Sequence, residues 1–169
     1  RIEIPSVEGP RVFREVLASA KEQQVPVHRV SQGSGAALLT KKEISEMARI
    51  GADQRIEVCL FVGPRAPWET GAQAVSTAGK VIALSHRGAD QLVYAIEDVK
   101  RATDLGIRSI LPADLGLIWV LNEMKKKGEL PKNLVIKSSV AMPPSNPATA
   151  KLYERCGVST LNIPTDLSA

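Results

Sequence analysis

The strongest constraint in this chain is a unit that recurs along it: a short apolar run followed by a segment with one apolar stripe at helical spacing. Ile2 to Ile4, Val25 to Val30, Ile56 to Val62, Ile107 to Leu111, Leu134 to Ser138 and Thr160 to Ile163 read as strands. Between them, Val12, Phe13, Val16, Leu17 and Ala20 form one stripe, Ile44, Met47 and Ala48 a second, and Leu92, Ala95, Ile96 and Val99 a third. Leu117, Ile118, Leu121 and Met124 form a fourth, and Leu152, Tyr153 and Cys156 a fifth. Helix boundaries are marked by Pro10, by the capping box of Thr40 with Glu43, by Asn146 with Pro147, and by Gly106, Gly128 and Gly157 at the ends. Strict alternation of this kind specifies a parallel sheet wrapped by helices.

Six strands and five helices have two closures, an open doubly wound sheet or part of a (β/α) barrel of TIM type. The sequence favours the partial barrel, because both ends of the chain fall at element boundaries. Residues 1–169 are therefore expected to form one barrel-like domain, a fragment of a longer chain, with raw sheet edges covered by another segment, a partner or a second copy. At 169 residues, 44% hydrophobic and 24% charged, the chain is sized for one domain with a core. The third strand runs into a long connection, Gly63 to Gly88. Connections of this length inside compact domains are often functional.

Composition excludes several function classes. The net charge of +4 comes from 22 basic and 18 acidic residues spread along the chain, and the densest basic run, Lys125 to Lys127, falls at a predicted helix end. Aromatic residues are not interleaved with basic ones, so nucleic acid is not an expected partner. Cys59 and Cys156 read as core residues; with only His28 and His86 as imidazole donors, no metal-ligand spacing appears and no cofactor is implied. No signal peptide and no membrane-spanning run is found, and the expected location is cytoplasmic.

Strand parity locates the candidate chemistry. Ile2 and Ile4, Ile56 to Val62 in steps of two, Leu134 and Ile136, and Leu161 and Ile163 form apolar faces. Glu3, Glu57, Lys137 and Asn162 lie on the opposite faces and are expected to converge inside, joined by His28 or Arg29. Charges taken out of water must pair or serve a solvated site. Glu57, Lys137 and Glu3 are thus candidate catalytic residues for acid–base work, and Lys137 can also form a Schiff base with a carbonyl substrate. Candidate substrate-binding residues are Arg29, Ser31, Gln32, Arg65, His86, Arg87 and Asn162, with Trp68 in the same long connection and backbone donors from Gly33-Ser34-Gly35.

At Ala113-Asp114-Leu115-Gly116-Leu117-Ile118, Asn146, Thr149-Ala150, Cys156-Gly157-Val158 and Asp166-Leu167-Ser168, the chain resembles the collagenase-like peptidases, peptidase family U-thirty-two. The resemblance covers the second half of the chain and implies a barrel fold and a peptidase-like hydrolase. Some relatives hold an iron–sulfur cluster on a cysteine-rich motif, which has no counterpart here, and Thr165-Asp166 stands where the family has arginine-glutamate. The resulting expectation is a barrel enzyme, hydrolase or lyase, acting on a small anionic or peptide-like substrate at the C-terminal ends of its strands. The alternative is a noncatalytic barrel subunit that binds a partner protein.

Overall fold

The structure is a computed structural model and describes residues 1–64 and 85–164. Five strands and five helices alternate within them: β1 Glu3–Ile4, α1 Pro10–Glu22, β2 Arg29–Gln32, α2 Lys41–Gln54, β3 Glu57–Val62, α3 Gly88–Asp104, β4 Ser109–Pro112, α4 Leu115–Lys127, β5 Val135–Ile136 and α5 Pro147–Arg155. A short 3-10 helix, Ala36–Leu38, lies between β2 and α2. The strands pair in chain order, β1-β2-β3-β4-β5, and every pair is parallel. The fold is α/β with a sheet that is not closed among the described residues.

Local chemistry sets the helix ends. Thr40 accepts from the Glu43 backbone while the Glu43 carboxylate returns a bond to Thr40, closing the capping box on α2. Asp114 and Asn146 cap α4 and α5 with a single backbone bond each, accepting from the Leu117 and Thr149 N–H. Helix α2 lies so close to β3 that a β-carbon on Gly51 would come within 2.6 Å of Val58 Cγ2 and 2.8 Å of the Ile56 carbonyl. One face of the sheet is dry: Val30, Val58, Leu60, Val62, Ile110 and Ile136 are buried in a core with Phe13, Ile44, Met47, Val99, Leu117 and Leu121.

Three expectations need correction. Strand β2 starts at Arg29 rather than Val25, because Pro26 lacks a donor and Val25 N–H is drawn back to the Ala20 carbonyl at the end of α1. Ser31 and Gln32 consequently belong to the strand and not to the turn. The sixth strand shrinks to one bridge, Lys137 with Thr160. Beyond it Leu161 and Ile163 are exposed, with no described strand on their far side to hold them. Cys59 is buried, but Cys156 at the end of α5 is only half-buried, and both thiols are free. No helix among the described residues is long and apolar enough to cross a membrane.

Candidate functional site

The register brings the polar positions onto one face. Glu3, Arg29 and Glu57 share a rung across β1, β2 and β3, and two residues further along Ser31, Cys59, Ser109 and Val135 share another. Because side chains alternate, these residues and Lys137 point away from the helices while Ile4, Val30, Val58 and Ile136 point toward them.

On that face the charges form one network. Lys137 donates to Glu3 Oε1, which also accepts from Ser31 Oγ at 2.6 Å, and Arg29 Nη1 donates to Glu3 Oε2 at 3.3 Å. Arg29 turns its other edge to Glu57: Nη2 donates to Oε2 at 2.9 Å, and Nε lies 2.8 Å from Oε1 without the alignment of a second hydrogen bond. Two carboxylates and two cations balance, which is what makes burial of the group tolerable. Exposure is uneven, since the Lys137 side chain is 3% exposed while Glu3 is 29% and Glu57 25% exposed. The lysine is the dry member of the set.

Burial alone would raise the Glu3 carboxyl, but hydrogen bonds from Lys137 and Ser31, the Lys137 charge and the Arg29 bond hold it below the ordinary value. Arg29 is held above its ordinary value because the two carboxylates outweigh its burial. Cys59 lies on the same face of the sheet. Burial pushes its thiol up to about 11, and Ser109, Lys137 and Arg29 pull it back only in part. A thiol protonated to that degree is no nucleophile at neutral pH. Beside it on the neighbouring strand lies the buried Ser109 hydroxyl.

The network therefore unites Glu3, Glu57, Lys137, Arg29 and Ser31. The second-strand choice falls to Arg29; His28 instead accepts the Ile2 N–H on Nδ1. Asn162 stands apart, its backbone N–H donating to Ser138 Oγ. Gln32 is buried on the helix side, both ends of its amide taken by the Gly35 backbone. The Gly33 and Ser34 donors are already filled by the Glu8 carboxylate, at 3.1 and 3.0 Å. Nothing nearby in sequence signals that clamp.

Around the ends of β3 and β4, Asp114 accepts the His86 N–H on Oδ2 at 3.0 Å while its Oδ1 caps α4. Arg87 is exposed and starts α3. Arg65 and Trp68 lie outside the described residues. Among the described residues no three His, Cys, Asp or Glu side chains form a metal-binding group. A cleft of about 310 Å³ is lined by Arg55, Glu57, Gly106 and Arg108 at the N-terminal ends of β3 and β4, and Lys137 does not line it.

No family model matches the chain, and no curated protein matches it. A solved structure described as the U32 peptidase Mk0906 is similar, with a TM-score of 0.51 and 17% identity over 92% of this chain. The likeness is one of fold. This chain spans 55% of the length of that structure.

Proposed function

We propose that the sheet is an arc of an eight-stranded (β/α) barrel, and that the protein is a peptidase-like barrel enzyme acting on a small anionic or peptide-like substrate over the Glu3–Arg29–Glu57–Lys137 cluster. The observation that carries this reading is the ion pair between Glu3 on the first strand and Lys137 just beyond the last. A flat sheet would hold β1 and β5 about 19 Å apart at a spacing of about 4.8 Å. Extended Glu and Lys side chains together reach only about 11 Å. Eight strands at that spacing, tilted by about 36°, enclose a barrel about 15 Å across, close to the span of about 14 Å that the two side chains and their hydrogen bond reach.

The stagger agrees. Glu3 and Glu57 share a rung; Cys59 lies two residues on and shares its rung with Val135, and Lys137 lies two beyond that. Four residues over four strands is one per strand, which over eight strands gives the shear of about 8 of this barrel class. Glu3, Cys59 and Lys137 then form one interior layer from alternate strands, whose fourth member comes from a strand beyond these five. Strand order without a reversal supports the same reading, and a further segment or a partner supplies the remaining strands.

In the chemical step the residues divide by role. Glu57, whose Oε1 is buried against Arg29 Nε at 2.8 Å, is the carboxylate assigned to acid–base work. Lys137 supplies positive charge to a developing oxyanion, while Arg29 and Glu3 fix its position. Ser31 and Arg87 are the described residues assigned to substrate contacts. The second reading, a noncatalytic subunit, is favoured by the balanced pairing of the network and by the position of the Glu57 cleft away from Lys137. The test is a thermal-shift screen of small carboxylates and N-blocked dipeptides on the wild-type chain and on Lys137→Met. A ligand that stabilises the wild type and not the folded variant supports the enzyme; equal stabilisation of both removes Lys137 from the site.

A further inference from the structure

The cleft at the N-terminal ends of β3 and β4 carries charges that the network does not balance. About 310 Å³ lies between the end of α2 and the turn that leads from α3 into β4. Ala48, Gly51 and Gly106 leave the room by having little or no side chain, and Ile56, Val58 and Ile107 give it an apolar floor. A β-carbon on Gly106 would stand 3.2 Å from Ala48 Cβ and take up part of that room.

Three charged side chains line the cleft: Arg55, Glu57 and Arg108. Glu57 is already neutralised, since Arg29 Nη2 donates to its Oε2 at 2.9 Å. The two lining arginines are not. Among the described residues the Arg55 guanidinium has no hydrogen-bond or ion-pair partner. Arg108 donates from Nη1 to the Thr103 and Ile107 carbonyls, both at 2.7 Å. Those bonds pin its guanidinium at the end of α3 and leave Nε and Nη2 without an acceptor among the described residues. Two cations on one small cleft, with no carboxylate of their own, repel each other and attract an anion.

We propose that this cleft is a binding site for a small aliphatic carboxylate, held at its head by Arg55 and Arg108 and lying with its chain over Ile56, Val58 and Ile107. The planar fork of a guanidinium matches a carboxylate in shape and charge. A bare phosphate would meet the arginines and leave the floor uncovered, and a neutral molecule would leave both cations unpaired. The site is separate from the one proposed for the reaction, because barrels of this class carry catalysis at the opposite, C-terminal ends of the strands. It needs the cleft and its arginines alone, so it stands whether or not the sheet closes. Glu57 is the residue that the cleft and the network share.

Arg55 also offers a variant that keeps the fold. Its backbone φ is +55°, a conformation that suits glycine better than arginine, so Arg55→Gly removes the charge without straining the end of α2. The experiment is an NMR titration of the 15N-labelled chain at low salt with butyrate, butyramide and inorganic phosphate, on the wild type and on Arg55→Gly. Butyrate should give saturable shifts at the backbone amides of 55–58 and 106–108, with tighter binding than phosphate, and butyramide should give none. Arg55→Gly should melt no lower than the wild type and bind butyrate about tenfold more weakly, the loss of one charge-assisted hydrogen bond. Butyramide shifts equal to those of butyrate, phosphate binding as tight as butyrate, or butyrate binding unchanged in a folded Arg55→Gly would overturn the proposal. So would the absence of any shift at these amides.

Discussion

Lys137→Met and Glu3→Gln remove the two halves of one ion pair, yet they should not cost the same. In Lys137→Met the carboxylate that remains still accepts from Ser31 and Arg29 and is 29% exposed. What is lost is one charge-assisted hydrogen bond, about 2 kcal/mol. For a chain of this size that corresponds to a fall in Tm of roughly 4–8 °C. In Glu3→Gln the group left behind is an ammonium that is 3% exposed. Removing one partner of a buried pair costs about 3–5 kcal/mol, roughly 6–20 °C. Urea and thermal melts of both variants and of the double variant measure this. The double variant should recover part of the Glu3→Gln loss, since it no longer carries the unpaired charge. A Lys137→Met variant that loses as much as Glu3→Gln would show that the lysine is not the dry partner, and the reasoning would fail.

Other outcomes follow from the same structure. The Glu3 carboxyl is held below its unfolded value, so its contribution is complete above that value and is lost as the pH falls through the lower folded one. Stability should therefore drop from about pH 4.5 downward, and less steeply in Glu3→Gln, as urea melts between about pH 3 and 6 would show. In the native chain Cys156 should react with a thiol reagent before Cys59, whose thiol is buried and pushed up to about 11; simultaneous modification would contradict the burial of Cys59. Gly157→Ala should destabilise the chain in melts, because a β-carbon there meets Asn122 Cβ at 2.6 Å and the backbone φ is +104°; an unchanged Tm would mean that the turn after α5 does not sit against Asn122 of α4.

Much of this was legible where a short-range signal decided the structure. Thr40 with Glu43, and Asn146 with Pro147, fixed helix starts because capping is chemistry within four residues. Parity placed Glu3, Glu57 and Lys137 on one side, because side-chain alternation is a property of any strand whose limits are known. It failed for the second strand, where Val25 and Val27 looked like strand residues while Pro26 and the end of α1 kept them out. With the true start at Arg29, the same alternation finds Ser31, two residues on, as a member of the network. The Glu8 clamp and the Asp114 hold on His86 join residues 25 to 28 positions apart, and no local pattern encodes them. Thr160 to Ile163 had the composition of a strand and formed only a bridge, because composition does not say whether a strand finds partners along its length.

The central claim is that the sheet curls until its first and last strands face each other. It is tested most directly by placing cysteines at Glu3 and Lys137, with Cys59 and Cys156 replaced by serine, and treating the chain with a bifunctional maleimide too short to bridge the ~19 Å of a flat five-stranded sheet. The account predicts a cross-link within a single chain, formed in the native state and lost in urea. A cross-link that forms only between chains, or none at all in a chain shown to be folded, would contradict it.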